Sequence, residues 1–194
     1  MAIRKDKRRQ ASNEKYIDAL QEKFSKVCVI RNDFGYKKDE NNNVNITLDE
    51  ANKHVNRFLS NRRNNSVFDN NIGYIFKIEE GVDKGIHIHA LILFNGNNVQ
   101  NDKFKGDQLG QYWKKITNGK GSYHNCNRNN YKDNATGMLD YRDIEKRRKL
   151  DKAMAYLVKE EQSIETLKEN EKDRAIRRGT IPKEKGNGGR PRKD

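Results

Sequence analysis

The stretch that decides the fold is residues 74–95, which read YIFKIEEGVDKGIHIHALILFN. Two apolar, β-branched runs, residues 73–80 and 86–94, flank a five-residue segment that has a glycine at each end. Such runs, separated by a short segment that contains glycine, are typical of a β-hairpin. The sequence therefore predicts two adjacent antiparallel strands here.

The periodicity of the flanking sequence predicts the remaining elements. In chain order these are a helix beginning at Ser12, a buried strand at 27–30, a helix opened by a capping box at Thr47–Glu50, a helix carrying Leu109 to Ile116, a weak strand at 122–126, and a long helix from about Asp143 past Lys159. The order contains a β-α-β-β-α-β core. We therefore predict an α+β protein of the ferredoxin-like plan, an antiparallel sheet with helices packed on one face.

Charge is concentrated at the two ends of the chain. The 194 residues carry a formal net charge of +13, from 41 Lys and Arg against 28 Asp and Glu. Residues 1–10 and 172–194 together hold most of that excess. We predict a disordered basic arm at 1–11, a folded domain at 12–162 and a basic tail at 163–194 that is mobile from Arg177. Basic ends on a near-neutral body favour a polyanionic partner, most often a nucleic acid.

The composition also argues against several classes of protein. The longest apolar run, Ile86–Phe94, is far shorter than a membrane span of about 18 residues, and it contains two histidines. The beginning of the sequence is charged where a signal peptide is apolar. Two cysteines, Cys28 and Cys126, form neither a disulfide framework nor a zinc pattern. We expect buried or incidental thiols in a reducing cytoplasm, and no membrane association.

A candidate metal site lies within the predicted hairpin. Alternation places His87 and His89 on the same face of one strand, about 7 Å apart. Glu79 and Glu80 precede the turn, and one of them should lie opposite the histidine pair; a three-residue turn pairs Glu79 with His87, and a two-residue turn pairs Glu80. Two imidazoles and one carboxylate suit Mn²⁺ or Mg²⁺. The alternative is that the histidines are solvent-exposed polar residues of an open sheet face.

The segments YIFKIE (74–79) and HIHALILFN (87–95) resemble the second motif of the HUH (His-hydrophobe-His) endonucleases. The likeness is greatest to rolling-circle replication initiators of plasmids and filamentous phages, in particular the inovirus-type replication proteins, and it covers roughly residues 24–162. The resemblance implies a ferredoxin-like fold, a divalent metal and a tyrosine that nicks one DNA strand. It also implies that the enzyme stays attached to the 5′ end of the cut strand.

The family's third motif, Tyr-x-x-Lys on a helix, matches Tyr156 to Lys159. The same spacing occurs at Tyr74, on a strand where residues three apart face opposite sides, and at Tyr112, which belongs to an apolar helical stripe. The resemblance therefore makes Tyr156 the expected nucleophile and places Lys159 near the phosphate. His124 is a candidate additional ligand or base, although such a histidine is more often structural.

Together these features predict a metal-dependent endonuclease and strand transferase for single-stranded or origin DNA, acting as a monomer or weak dimer. The sequence contains no Walker A motif, so a host or separately encoded helicase and polymerase would complete replication. A conjugative relaxase or a small transposase is a related alternative. Two alternatives from other classes are a non-catalytic DNA-binding regulator on the same fold and a metalloenzyme acting on small phosphoesters.

Overall fold

The computed structural model describes residues 2–81, 84–131, 134–158 and 175–183. Within these ranges the chain forms four helices and six strands. In order they are α1 (Ala2–Lys23), β1 (Lys26–Tyr36), α2 (Leu48–Ser60), β2 (Asn71–Gly81), β3 (Gly85–Asn95), α3 (Asp102–Ile116), β4 (Gly121–Asn125), β5 (Gly137–Asp140), α4 (Ile144–Val158) and β6 (Ile176–Arg178). None of the described helices is long and apolar enough to cross a membrane.

All six strands join one antiparallel sheet. Its main path runs β4-β1-β3-β2-β6, and β5 pairs separately with the beginning of β1. The elements β1-α2-β2-β3-α3-β4 thus form a β-α-β-β-α-β core with the two inner strands β1 and β3 side by side. This confirms the predicted α+β, ferredoxin-like architecture.

Local sequence signals set the positions of the central elements. The Thr47 hydroxyl accepts a hydrogen bond from the Glu50 backbone N–H, and the Glu50 carboxylate accepts one from the Thr47 N–H, which is the predicted capping box at the start of α2. In the hairpin, Gly81 pairs with Gly85, so three residues make the turn. Gly85 adopts φ +59° and a Cβ there would lie 2.9 Å from Val44, so the turn requires glycine at this position.

One face of the sheet is covered by α2 and α3 over an aromatic core. Trp113 is fully buried; its ring stacks on Phe34 with centroids 4.9 Å apart, and its indole N–H donates to the Gly35 carbonyl oxygen at 3.1 Å. Phe58 and Phe76 complete the cluster around Phe34. Aromatic side chains bury the largest apolar areas, so this face supplies much of the hydrophobic stabilisation.

Helices α1 and α4 cover part of the second face, where the sequence predicted no helix. Leu20 of α1 and Met154 of α4 are buried against the other side of the strands, in contact with a cluster that includes Val29 and Leu91. Helices pack here because the side chains in the first half of β1 and the last half of β3 are apolar on both faces of the sheet. This pattern is typical of strands that are buried on both sides. The remaining half of this second face is polar.

Both predicted mobile ends are partly ordered. The predicted disordered arm is wrong for residues 2–11, which are the first turns of α1. They contain no glycine or proline and consist largely of good helix formers, so they extend a helix that Tyr16 and Leu20 anchor to the sheet. Propagating a helix costs far less than nucleating one.

The predicted mobility from Arg177 is also wrong where the structure describes that segment. Strand β6 pairs with the outer edge of β2, whose backbone groups would otherwise lack partners there. Arg178 donates to the Ser12 hydroxyl at 2.8 Å and lies over the Tyr16 ring, and Arg177 contacts Asn52 and Asn56. The rest of the predicted basic tail, residues 163–174 and 184–194, lies outside the described residues.

Candidate metal centre

Three ligand-type side chains meet on the polar half of the second sheet face. His87 and His89 lie on β3, and Glu79 lies on β2 directly opposite His87. The three side chains offer ligand atoms that all lie within 4.8 Å of one another. The predicted site is therefore present as a possible metal-binding triad.

The hairpin register decides which glutamate takes part. Because the turn has three residues, Glu79 pairs with His87, and Glu80 pairs with Ile86. Alternation then directs the Glu80 side chain to the opposite face, where it is exposed. Glu80, the other carboxylate considered from the sequence, is therefore outside the triad.

A single carboxylate oxygen joins the two imidazoles. Glu79 Oε2 lies 2.9 Å from His89 Nε2 and 3.4 Å from His87 Nε2. The imidazole rings are nearly perpendicular, at 88°, with centroids 5.1 Å apart. Both histidine side chains are 12% exposed, so the cluster is largely buried but still reached by solvent.

The second nitrogen of each imidazole has a fixed acceptor. His87 Nδ1 lies 3.1 Å from the Gly85 carbonyl oxygen; because a carbonyl only accepts, Nδ1 donates this hydrogen bond. His89 Nδ1 donates to Asp33 Oδ1 at 2.6 Å. Hydrogen bonds of this kind orient ligating histidines in metal sites and make the other nitrogen a better donor to a metal.

Asp33 and Lys77 belong to the site, although the sequence did not single them out. Asp33 on β1 pairs with His89 on one side, and Lys77 on β2 pairs with His89 on the other. The Lys77 ammonium forms an ion pair with Glu79 Oε1, which leaves Oε2 for the imidazoles, and both side chains are almost fully buried. Alternation along the strands could have indicated these residues from the sequence, because it places a charged residue of an otherwise apolar strand on the same face as the histidines.

These contacts shift the protonation equilibria of the cluster. Burial alone would raise the pKa of Glu79, but the hydrogen bonds to His87 and His89, together with Lys77, hold that pKa well below its usual range. Burial alone would lower the pKa of His89, yet the carboxylates of Asp33 and Glu79 raise it to about 9. Burial opposes ionisation of Asp33 too, and the His89 contact lowers its pKa. Both carboxylates are therefore ionised at neutral pH.

The donor set and its spacing fit a small divalent cation. Donors about 2.1 Å from a metal and at right angles to each other lie about 3 Å apart. The two distances between Glu79 Oε2 and the histidine Nε2 atoms, 2.9 and 3.4 Å, are already close to this value. Two imidazoles and one carboxylate on one side leave the opposite positions free for oxygen ligands.

Tyr156 lies on α4, which packs on the same sheet face as the triad. Its side chain is 59% exposed, and no hydrogen bond involves it among the described residues. Just before α4, Asp140 pairs with Lys26 at the beginning of β1. Farther along the helix, Ala153 lines a cavity together with Arg31 of β1. The helix therefore runs alongside β1, from the beginning of the strand toward its middle. Tyr156 lies one turn after Ala153 on α4, and among the described residues no hydrogen bond or ring contact joins it to the triad. Lys159, its predicted partner, lies outside the described residues.

His124, the candidate additional ligand or base, takes no part in the triad. It pairs with Asp33 across β4 and β1, but its side chain is exposed and its Nε2 lies 2.9 Å from the Asn129 amide nitrogen. Tyr112, set aside as a core residue, is indeed buried on the opposite face. Cys28 and Cys126 are buried free thiols, as predicted.

No family model matches the chain, and no curated protein or solved structure matches it either.

Proposed function

We propose that the protein is a metal-dependent endonuclease and strand transferase of the HUH type. It would cut one DNA strand through Tyr156 and start rolling-circle replication of a phage, plasmid or integrated element. The observation that carries the proposal is the pairing of Glu79 with His87 and His89 on a sheet face flanked by a helix with an exposed tyrosine. A regulator that only binds DNA has no need for that combination.

The triad would hold Mn²⁺ or Mg²⁺ through His87 Nε2, His89 Nε2 and Glu79 Oε2. When bound, the cation supplies Lewis-acid polarisation of a non-bridging phosphate oxygen and offsets the charge that develops there. Asp33 and the Gly85 carbonyl keep the imidazoles aimed at that point, and Lys77 holds Glu79. The chain therefore brings a rigid ligand set to the reaction.

Tyr156 would provide the nucleophile. Its hydroxyl oxygen attacks the scissile phosphorus and forms a phosphotyrosine bond, while the bond from phosphorus to the 3′ oxygen breaks. The phenol loses its proton and the departing 3′ oxygen gains one, so the products are a 5′-phosphotyrosyl strand and a free 3′-hydroxyl. The reverse attack rejoins the strands without an external energy source. Lys159 would stabilise charge near the phosphate, as the resemblance implies.

The test is formation of a covalent adduct. Full-length protein is incubated with Mn²⁺ and a pool of random-sequence single strands labelled at the 3′ end, because the adduct retains the 3′ fragment. We expect a labelled band at the size of the protein on a denaturing gel, lost in Tyr156→Phe and in the presence of EDTA. Tyr141→Phe is the control, a partly exposed tyrosine just before α4, and it should keep the band.

A second matched pair tests the metal ligands. Glu79→Gln should abolish the adduct, whereas Glu80→Gln, the adjacent residue on the opposite face, should leave it intact. Salt-sensitive DNA binding without an adduct under any divalent metal would contradict the proposal and favour the non-catalytic regulator. If Tyr156→Phe hydrolyses small phosphoesters and the protein does not bind DNA, the result would favour the remaining alternative, a metalloenzyme that acts on small phosphoesters.

A further inference from the structure

A cleft lies beside the candidate metal centre on the same face of the sheet. It has a volume of about 360 Å³ and a floor formed by Arg31 and Leu91, which are paired residues of β1 and β3. Lys152 and Ala153 of α4 line one wall, and Tyr131 lies on the other. The volume falls within the range of sites that bind small ligands or single groups of larger ones.

The cleft and the triad are neighbours along the strands. Arg31 and Leu91 lie two residues from Asp33 and His89 on the same faces, a distance of about 7 Å. The Tyr131 hydroxyl accepts a hydrogen bond from the Asn129 side-chain amide at 3.0 Å, and Cys126, in the same loop, has its Sγ 3.5 Å from Asp33 Oδ2. A polymer bound at the triad would therefore extend into the cleft with its next unit.

The lining combines an available aromatic ring with positive charge. Tyr131 is 42% exposed, and no aromatic ring among the described residues packs against it. Arg31 Nε has no hydrogen-bond partner there and lies 3.7 Å from Asp33 Oδ1. Lys152 is exposed at the rim. Aromatic rings beside cationic side chains are the usual platform for single-stranded DNA, because bases stack on the ring and phosphates meet the charges.

We propose that this cleft holds one unpaired nucleotide of the DNA strand, adjacent to the phosphate at the triad, with its base against Tyr131 and its phosphate near Arg31 and Lys152. The apolar side chains of Leu91 and Ala153 offer the base a carbon surface on the remaining sides. A base paired in a duplex cannot enter such a slot, so the cleft selects single strands. The inference deepens the proposed function, on which it rests for the identity of the ligand.

Two fluorescent 20-mers of equal charge test the slot: oligo(dT) and an abasic sugar-phosphate strand. Binding to the full-length protein is followed by anisotropy in EDTA, so that no cleavage occurs. Tyr131→Ala should weaken oligo(dT) binding about tenfold and leave the abasic strand unaffected, whereas Tyr131→Phe should bind both like the wild type. Near wild-type circular dichroism and melting of Tyr131→Ala would show that the loss is not due to unfolding.

Lys152→Gln tests the phosphate contact. It should weaken both strands and reduce the slope of log affinity against log salt by about one. Lys103→Gln is the control, because it removes the same charge from an exposed position of α3 on the other side of the sheet. Equal binding of oligo(dT) by wild type and Tyr131→Ala, or an equal loss on both strands, would overturn the base slot. The adduct assay with Tyr156 is independent of this result, so either proposal can fail alone.

Discussion

The two faces of the sheet differ in what their side chains do. The face under α2 and α3 is closed by an aromatic core around Phe34 and Trp113. The other face is apolar only where α1 and α4 cover it, and beyond that it carries charged and ionisable groups that contact one another, including Glu79, His87 and His89. One pair of strands thus supports stability on one side and a preformed polar cluster on the other. Burying charged groups lowers the stability of the folded state. The contrast shows how the fold can tolerate such a cluster, because the aromatic core on the opposite face supplies the hydrophobic stabilisation.

The largest effect should come from opening the aromatic face. Trp113→Ala removes a fully buried ring that stacks on Phe34 and donates to the Gly35 carbonyl. We expect the free energy of unfolding to fall by about 3 to 5 kcal/mol in urea titrations. Tyr156→Ala, on the second face and largely exposed, should cost about 0.5 kcal/mol or less. Comparable losses in the two variants would remove the distinction between the faces.

A smaller effect should follow from breaking the buried ion pair of the polar cluster. Glu79→Ala takes the carboxylate away from the buried Lys77 ammonium and from both imidazoles. We expect a loss of about 3 kcal/mol in the free energy of unfolding. Glu80→Ala, one residue away on the exposed side, should change it by less than about 0.5 kcal/mol. Differential scanning calorimetry of the two variants makes the comparison directly, and equal melting temperatures would contradict it.

The smallest effect concerns pH. The folded-state pKa of His89 is about 9, above its unfolded value, so its stabilising contribution is complete below about pH 6.5 and is lost as the pH rises through 9. The carboxyls of Glu79 and Asp33 have lowered pKa values, so their contribution is lost on the acid side. With EDTA present, the melting temperature should fall as the pH rises from 6.5 to 9.5.

The control for that titration is His89→Gln, which keeps a hydrogen-bonding side chain that cannot titrate. The stability difference between wild type and this variant should shrink as the pH rises. A difference that stays constant from pH 6 to 9.5 would show that His89 does not gain its charge from Asp33 and Glu79.

The central hairpin and its candidate ligands could be predicted because each side chain of a strand points to one of only two sheet faces. Once 73–80 and 86–94 are strands, His87 and His89 must share a face, and only the turn length is needed to choose Glu79 over Glu80. The three-residue turn depends on the conformation of Gly85, where contact with Val44 excludes a side chain, and no local sequence rule reports that contact.

The parts that were missed depend on contacts between distant segments. Asp33 reaches His89 only because β1 and β3 are neighbours, and Lys77 becomes part of the site only because it is buried beside Glu79. Strand β6 has three residues and little apolar character, so its place on β2 reflects an available edge rather than its own propensity. Residues 2–11 are mostly charged or polar, and their helix follows from the anchored segment after them.

The short strand β6 also affects how the molecule meets its own copies. A bare outer strand is a template on which another chain can add its backbone. Ile176–Arg178 occupies part of that position on β2, and the arginine at its end is held by Ser12 and Tyr16. The opposite border, β4, is only five residues long and leads directly into a 3-10 turn. Both margins therefore discourage edge-to-edge growth of the sheet.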